Sequence, residues 1–71
     1  KKEIIKPRQV TMYLLREDLN TSYPYIGQKF GGRDHTTVIY AYEKISTDIK
    51  KDIKLKQEIE QIRKNIYETS L

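Results

Sequence analysis

Residues 31–38 read Gly-Gly-Arg-Asp-His-Thr-Thr-Val, placing a carboxylate, an imidazole and two hydroxyls on four consecutive positions, Asp34 to Thr37. These groups can exchange hydrogen bonds with a polar partner, but what bond-making needs is missing around them. The chain has one histidine, no cysteine, no Ser/His/Asp spacing that reads as a triad and no cluster at metal-ligand spacing. A phosphate-cradling Gly-x-x-x-x-Gly-Lys-Ser/Thr loop is absent as well. The expectation is therefore no catalytic residues, no metal and no cofactor in this chain, and a chemistry of recognition.

The elements that must position these four residues follow from punctuation and apolar spacing. Gly31 and Gly32 can adopt backbone angles closed to other residues, Asp34 can cap the orphan amides that follow it, and the apolar pattern begins only at Val38. The spacing predicts a helix from about Asp34 to Lys50, with Val38, Tyr42, Ile45 and Ile49 as its inner stripe. Asp34, Thr36, Thr37 and Tyr40 lie away from that stripe or at its margin, and His35 sits at its N-terminal edge. Upstream, Pro7 suits a first helical turn because its missing amide hydrogen would have no partner there. A helix from Pro7 to Leu19 then carries Val10, Met12, Tyr13, Leu14, Leu15 and Leu19 on a broad apolar face.

Asn20-Thr21-Ser22 reads as a stop followed by a new cap, and a short helix from Pro24 to about Phe30 puts Ile26 and Phe30 one turn apart on one face. Gly27 would weaken that helix unless a close crossing needs it, as it does between the two helices of a helix-turn-helix unit. Near Asp52, itself a potential cap, the pattern changes phase. A last helix to about Glu68 is expected as a brace, with Leu55, Ile59, Ile62 and Ile66 inward and charges of alternating sign outward. The fold class expected is all-α, a helix-turn-helix of the Trp-repressor type with about four helices, residues 1–71 forming one domain.

Composition narrows the function classes. A chain of 71 residues buries only about 60% of the surface its unfolded form exposes, which leaves little room for a deep active site. Without cysteine, helix packing alone must stabilise the fold, and a reducing cytoplasm is permitted. No apolar run approaches the roughly 20 residues needed to span a bilayer, and no secretion signal is visible, so a soluble intracellular protein with no membrane partner is expected. The net charge is +4, and residues 1–33 hold seven Lys or Arg against three acids while residues 34–71 hold seven of each. The whole excess, Lys1, Lys2, Lys6, Arg8, Arg16, Lys29 and Arg33, surrounds the glycine turn in sequence, as a polyanion partner would require.

A duplex's major groove accepts a helix, and the first turn of that helix can face base edges. There an Asp carboxylate can accept from a cytosine or adenine amino group, a histidine can donate or accept, and threonine can offer both a hydroxyl and a methyl group. A helix N-terminus also attracts phosphate through its free amides and dipole. Each residue has a blander reading: Asp34 as a cap alone, His35 as an ordinary surface residue, Arg8, Arg16 and Lys29 as solvated surface. Tyr13 and Tyr42 fall in core stripes and Tyr67 at a frayed end, leaving Tyr23, Tyr25 and Tyr40 as hydroxyl donors to phosphate.

Three segments in order, Pro7-Arg8-Gln9, Pro24-Tyr25-Ile26-Gly27 and Gly31 to Val38, resemble the C-terminal DNA-binding domain of the bacterial replication initiator DnaA over roughly residues 6 to 52. The resemblance implies sequence-specific binding of double-stranded DNA at short boxes in the replication origin, as a monomer and in the cytoplasm at the nucleoid. It implies base contacts from Asp34, His35 and Thr36 and phosphate contacts from Arg8, Gln9, Arg16 and Thr37, with the backbone near Tyr23 and Pro24; Lys29 and Arg33 are added here on charge. It further implies a longer parent protein whose ATPase domain, and ATP, lie outside this chain. The family's first helix and its basic loop, which inserts an arginine into the minor groove, would precede Lys1, and Lys1 and Lys2 are the residues that would have to replace that arginine. Readings from other classes are a helical protein-protein interaction module and a dimeric helix-turn-helix repressor.

Overall fold

The computed structural model describes residues 7–32 and 34–69, which form four helices: α1 (Pro7–Leu19), α2 (Tyr23–Lys29), α3 (His35–Lys51) and α4 (Ile53–Thr69). No strand occurs among the described residues. The fold is all-α, and α3 is its hub, packing against each of the other three helices.

Local chemistry sets every boundary. Asn20 ends α1 at φ 54°, in the left-handed region that Asn tolerates better than most residues. The Asn20 and Thr21 amides donate back to the carbonyls of Arg16 and Leu15, both at 3.1 Å. Ser22 caps α2, its hydroxyl accepting from the Tyr25 amide at 3.3 Å, with Pro24 in the first turn. Gly31 and Gly32 follow α2 at φ 86° and 72°, angles that strain any residue with a Cβ. Asp52 serves two helices: its amide donates to Asp48 at the end of α3, and its carboxylate accepts from the amides of Lys54 and Leu55 at the start of α4.

The core has two parts joined through α1 and α3. Beneath the glycine turn, Met12, Ile26, Val38 and Ala41 are buried, flanked by Leu15, Tyr23 and Phe30. The second part comprises Val10, Tyr13, Ile45, Leu55 and Ile59, flanked by Leu14, Tyr42 and Ile49. Gly27 is buried, in keeping with a close crossing of α2 over its neighbours. Ala41 joins the core although the four-three-four stripe passes over it, because alanine lies three residues after Val38 and four before Ile45 on the same side of α3.

The apolar stripes are covered less completely than expected. Leu55 and Ile59 are buried, but Ile62 and Ile66 are exposed, as is Leu19 at the end of α1. These three line an open, largely apolar groove of about 860 Å³ between α1 and α4, together with Leu14 and Leu15. Nor does Tyr67 belong to a frayed end. Its hydroxyl donates to Asp18 at 2.9 Å, and Arg63 grips the same carboxylate with Nε and Nη2 at 2.8 and 2.9 Å. This paired, half-buried cluster ties α4 to α1 where apolar contact thins out.

No helix among the described residues is long and apolar enough to cross a membrane.

Candidate nucleic-acid interface

The first turn of α3 stands clear of both cores. Asp34, His35, Thr36 and Thr37 are all exposed, while Val38, the next residue, is completely buried. The boundary arises because Val38 seals the core under the glycine turn, so the residues before it project past the packed body of the protein. Asp34 holds this tip in shape. One carboxylate oxygen accepts from the Thr36 amide at 3.2 Å, and its carbonyl accepts from the Thr37 amide at 2.9 Å. Those bonds to Thr36, through its amide first and its hydroxyl second, hold the Asp34 carboxyl below the usual carboxylate range.

His35 Nδ1 lies 3.5 Å from the Asp34 carboxylate, with the two side chains 55% and 67% exposed. At that distance and exposure the pair orients the imidazole without covering it, and screening leaves little net energy in it. The tip therefore combines an anionic acceptor, an imidazole able to donate or accept, and two hydroxyls with methyl groups. Capping does not exhaust Asp34: Oδ1 serves Thr36, and a carboxylate has further lone pairs for an amino group.

A second group forms where α1 meets α2. The Arg16 guanidinium donates to the Thr21 carbonyl at 3.3 Å and lies over the Tyr23 ring, 4.6 Å from its centre. Tyr23 in turn meets Tyr42 edge-on at 6.2 Å between ring centres. Arg16 is thus more than solvated surface: it fastens the turn between α1 and α2, and remains half-exposed. Pro24 is exposed beside Tyr23, and Lys29 lies over the Tyr25 ring at 5.2 Å. A cation held on an aromatic face keeps its charge available to an anion.

Arg8 and Gln9 occupy the first turn of α1, Arg8 exposed and Gln9 half-buried, about 10–12 Å along the helix from Arg16 by helical rise. They do not join the Arg16 group. Arg33 falls outside the described residues, as do Lys1, Lys2 and Lys6. Sequence reasoning missed the Tyr42 hydroxyl donating to Glu17 at 2.7 Å, which engages an acid of α1. That bond, ahead of burial and charge, raises the Tyr42 pKa.

The family described as the bacterial dnaA protein helix-turn-helix matches residues 1–45, well over half of the chain and all of α1, α2 and the α3 tip. The match ends at Ile45, so α4 and the last third of α3 lie outside it.

Proposed function

The chain belongs to the bacterial DnaA helix-turn-helix family, and on that basis we propose that it binds double-stranded DNA at origin boxes and so directs initiation of chromosome replication. The observation that carries the proposal is the α3 tip, where four consecutive hydrogen-bonding residues stand exposed ahead of the fully buried Val38. In this reading the tip enters the major groove. Asp34, His35 and Thr36 meet base edges, and Thr37 holds a phosphate oxygen near the positive end of the helix dipole.

Phosphate contacts from Arg8, Gln9, Arg16, Tyr23, Pro24, Lys29 and Arg33 would then fix the register without carrying sequence information. Arg16 supports this best, since its bond to Thr21 and its seat on Tyr23 orient the guanidinium in advance. Residues 1–71 act as one DNA-binding domain of a longer cytoplasmic initiator, bind as a monomer, and leave ATP and its hydrolysis to another part of that protein.

Fluorescence anisotropy with a box duplex and a scrambled duplex tests the proposal. Binding is expected to favour the box and to weaken with salt at a log-log slope of about 0.9 per phosphate neutralised. Identical isotherms for the two duplexes would exclude box recognition.

A further inference from the structure

Tyr40 is set apart from the other tyrosines. Tyr13 and Tyr42 stack at 5.4 Å, Tyr23 meets Tyr42 edge-on, Tyr25 carries Lys29, and the hydroxyls of Tyr42 and Tyr67 donate to Glu17 and Asp18. Tyr40, 63% exposed, has no ring partner and no hydroxyl partner among the described residues. Its ring face and its hydroxyl are therefore both open to a partner.

Its place on α3 supplies one. At 100° per residue, Thr36, Tyr40, Glu43 and Thr47 form a single row directly opposite the buried Val38, Ala41 and Ile45, and all four are exposed. Tyr40 lies about 9 Å along the axis from Asp34 by helical rise, and the major groove is about 8.5 Å deep. When Asp34 reaches the groove floor, Tyr40 is level with the rim, where the phosphodiester oxygens lie. Glu43 stands about 4.5 Å further out, exposed and without an ion-pair partner among the described residues. A helix lying flat would press that carboxylate into the groove, whereas one entering tip first keeps it outside.

We propose that α3 enters the groove tip first, with the Tyr40 hydroxyl donating to a rim phosphate and Glu43 acting just above it as a repulsive stop that limits affinity. This rests on the tip being the DNA-binding end. It gives the Tyr40 hydroxyl a place at the groove rim and adds a docking angle and an acidic element that opposes phosphate.

The test uses the whole chain with Tyr40→Phe and Glu43→Gln, both at exposed positions, their folding checked by thermal melting. Tyr40→Phe keeps the ring and removes the donor, so it is expected to weaken box and scrambled duplex by the same factor, about tenfold for a hydrogen bond to a charged oxygen. Glu43→Gln is expected to tighten both. Wild-type affinity in Tyr40→Phe would overturn the phosphate contact, and a loss confined to the box would make Tyr40 a base reader instead. Weaker binding by Glu43→Gln would overturn the repulsive stop. Absence of box preference in the wild type sinks box recognition separately, because the effects of both variants can still be read on the scrambled duplex.

Discussion

The Asp34–Thr37 tip and the Asp18–Arg63–Tyr67 cluster each set a nitrogen-bearing side chain and a hydroxyl around a carboxylate, but the fold treats them oppositely. In the second cluster Arg63 donates twice to Asp18, Tyr67 donates once more, and Glu60 takes the remaining guanidinium nitrogen at 2.6 Å. Those donors are engaged inside the protein. At the tip, the Thr36 amide and hydroxyl and the His35 imidazole gather round Asp34, yet the side chains of His35, Thr36 and Thr37 all remain exposed. A polar cluster that joins residues of two helices holds those helices together, and one whose contacts stay within a single exposed turn leaves its surface open to a partner.

The largest break in this contrast should come from beneath the tip. Ile26 is completely buried in the core under the glycine turn, and Ile26→Ala is expected to cost about 2–5 kcal/mol through lost transfer energy and the cavity left behind. In a domain this small that is much of the total stability. Melting temperature and DNA binding should therefore fall together, and a variant melting like the wild type would show that this core does not support the tip.

Arg63→Ala should separate the two regions. It leaves the Asp18 carboxylate, with its side chain 17% exposed, only the Tyr67 hydroxyl as donor, and is expected to cost about 1–3 kcal/mol in stability. Box preference measured well below the melting temperature should remain. His35→Ala is the mirror experiment, leaving the melt unchanged while the box duplex loses about 1–3 kcal/mol of affinity and random duplex much less. Arg16→Ala should weaken both duplexes alike, as expected of a phosphate contact. Equal losses on both duplexes from both variants would contradict the division between base and phosphate contacts.

The smallest effect concerns pH. Hydrogen bonds from Arg63 hold Asp18 below its ordinary 3.8, and the Thr36 amide does the same for Asp34. A carboxylate depressed in the folded state stabilises it fully above the unfolded pKa, and that contribution is lost as pH falls through the folded value. The melting temperature should accordingly hold from neutral pH to about 4 and decline below it. Asp18→Asn should flatten part of the decline, and an unchanged acid profile in that variant would remove Asp18 from the account.

What could be read from the sequence was whatever is decided locally. Asp34, Ser22 and Asp52 announce caps, paired glycines announce positive φ, and Val38, Ile45 and Leu55 announce buried faces, because each signal acts within a few residues of itself. The Asp18–Arg63 and Glu17–Tyr42 pairs span 45 and 25 residues, and no local pattern specifies which charge on one helix meets which on another. Periodicity marked Leu19, Ile62 and Ile66 as apolar faces but says nothing about whether another element covers them. At the candidate site, the exposure of the tip was legible from where the apolar stripe starts. The internal seat of Arg16 and the isolation of Tyr40 depend on the folded arrangement of α1, α2 and α3.

Amide chemical-shift mapping with a box duplex addresses the claim that the tip is the reading end most directly. The largest perturbations are expected at Asp34, His35, Thr36 and Thr37, with α4 from Glu60 to Tyr67 nearly unmoved. Shifts concentrated on α4 with the tip unchanged would contradict it.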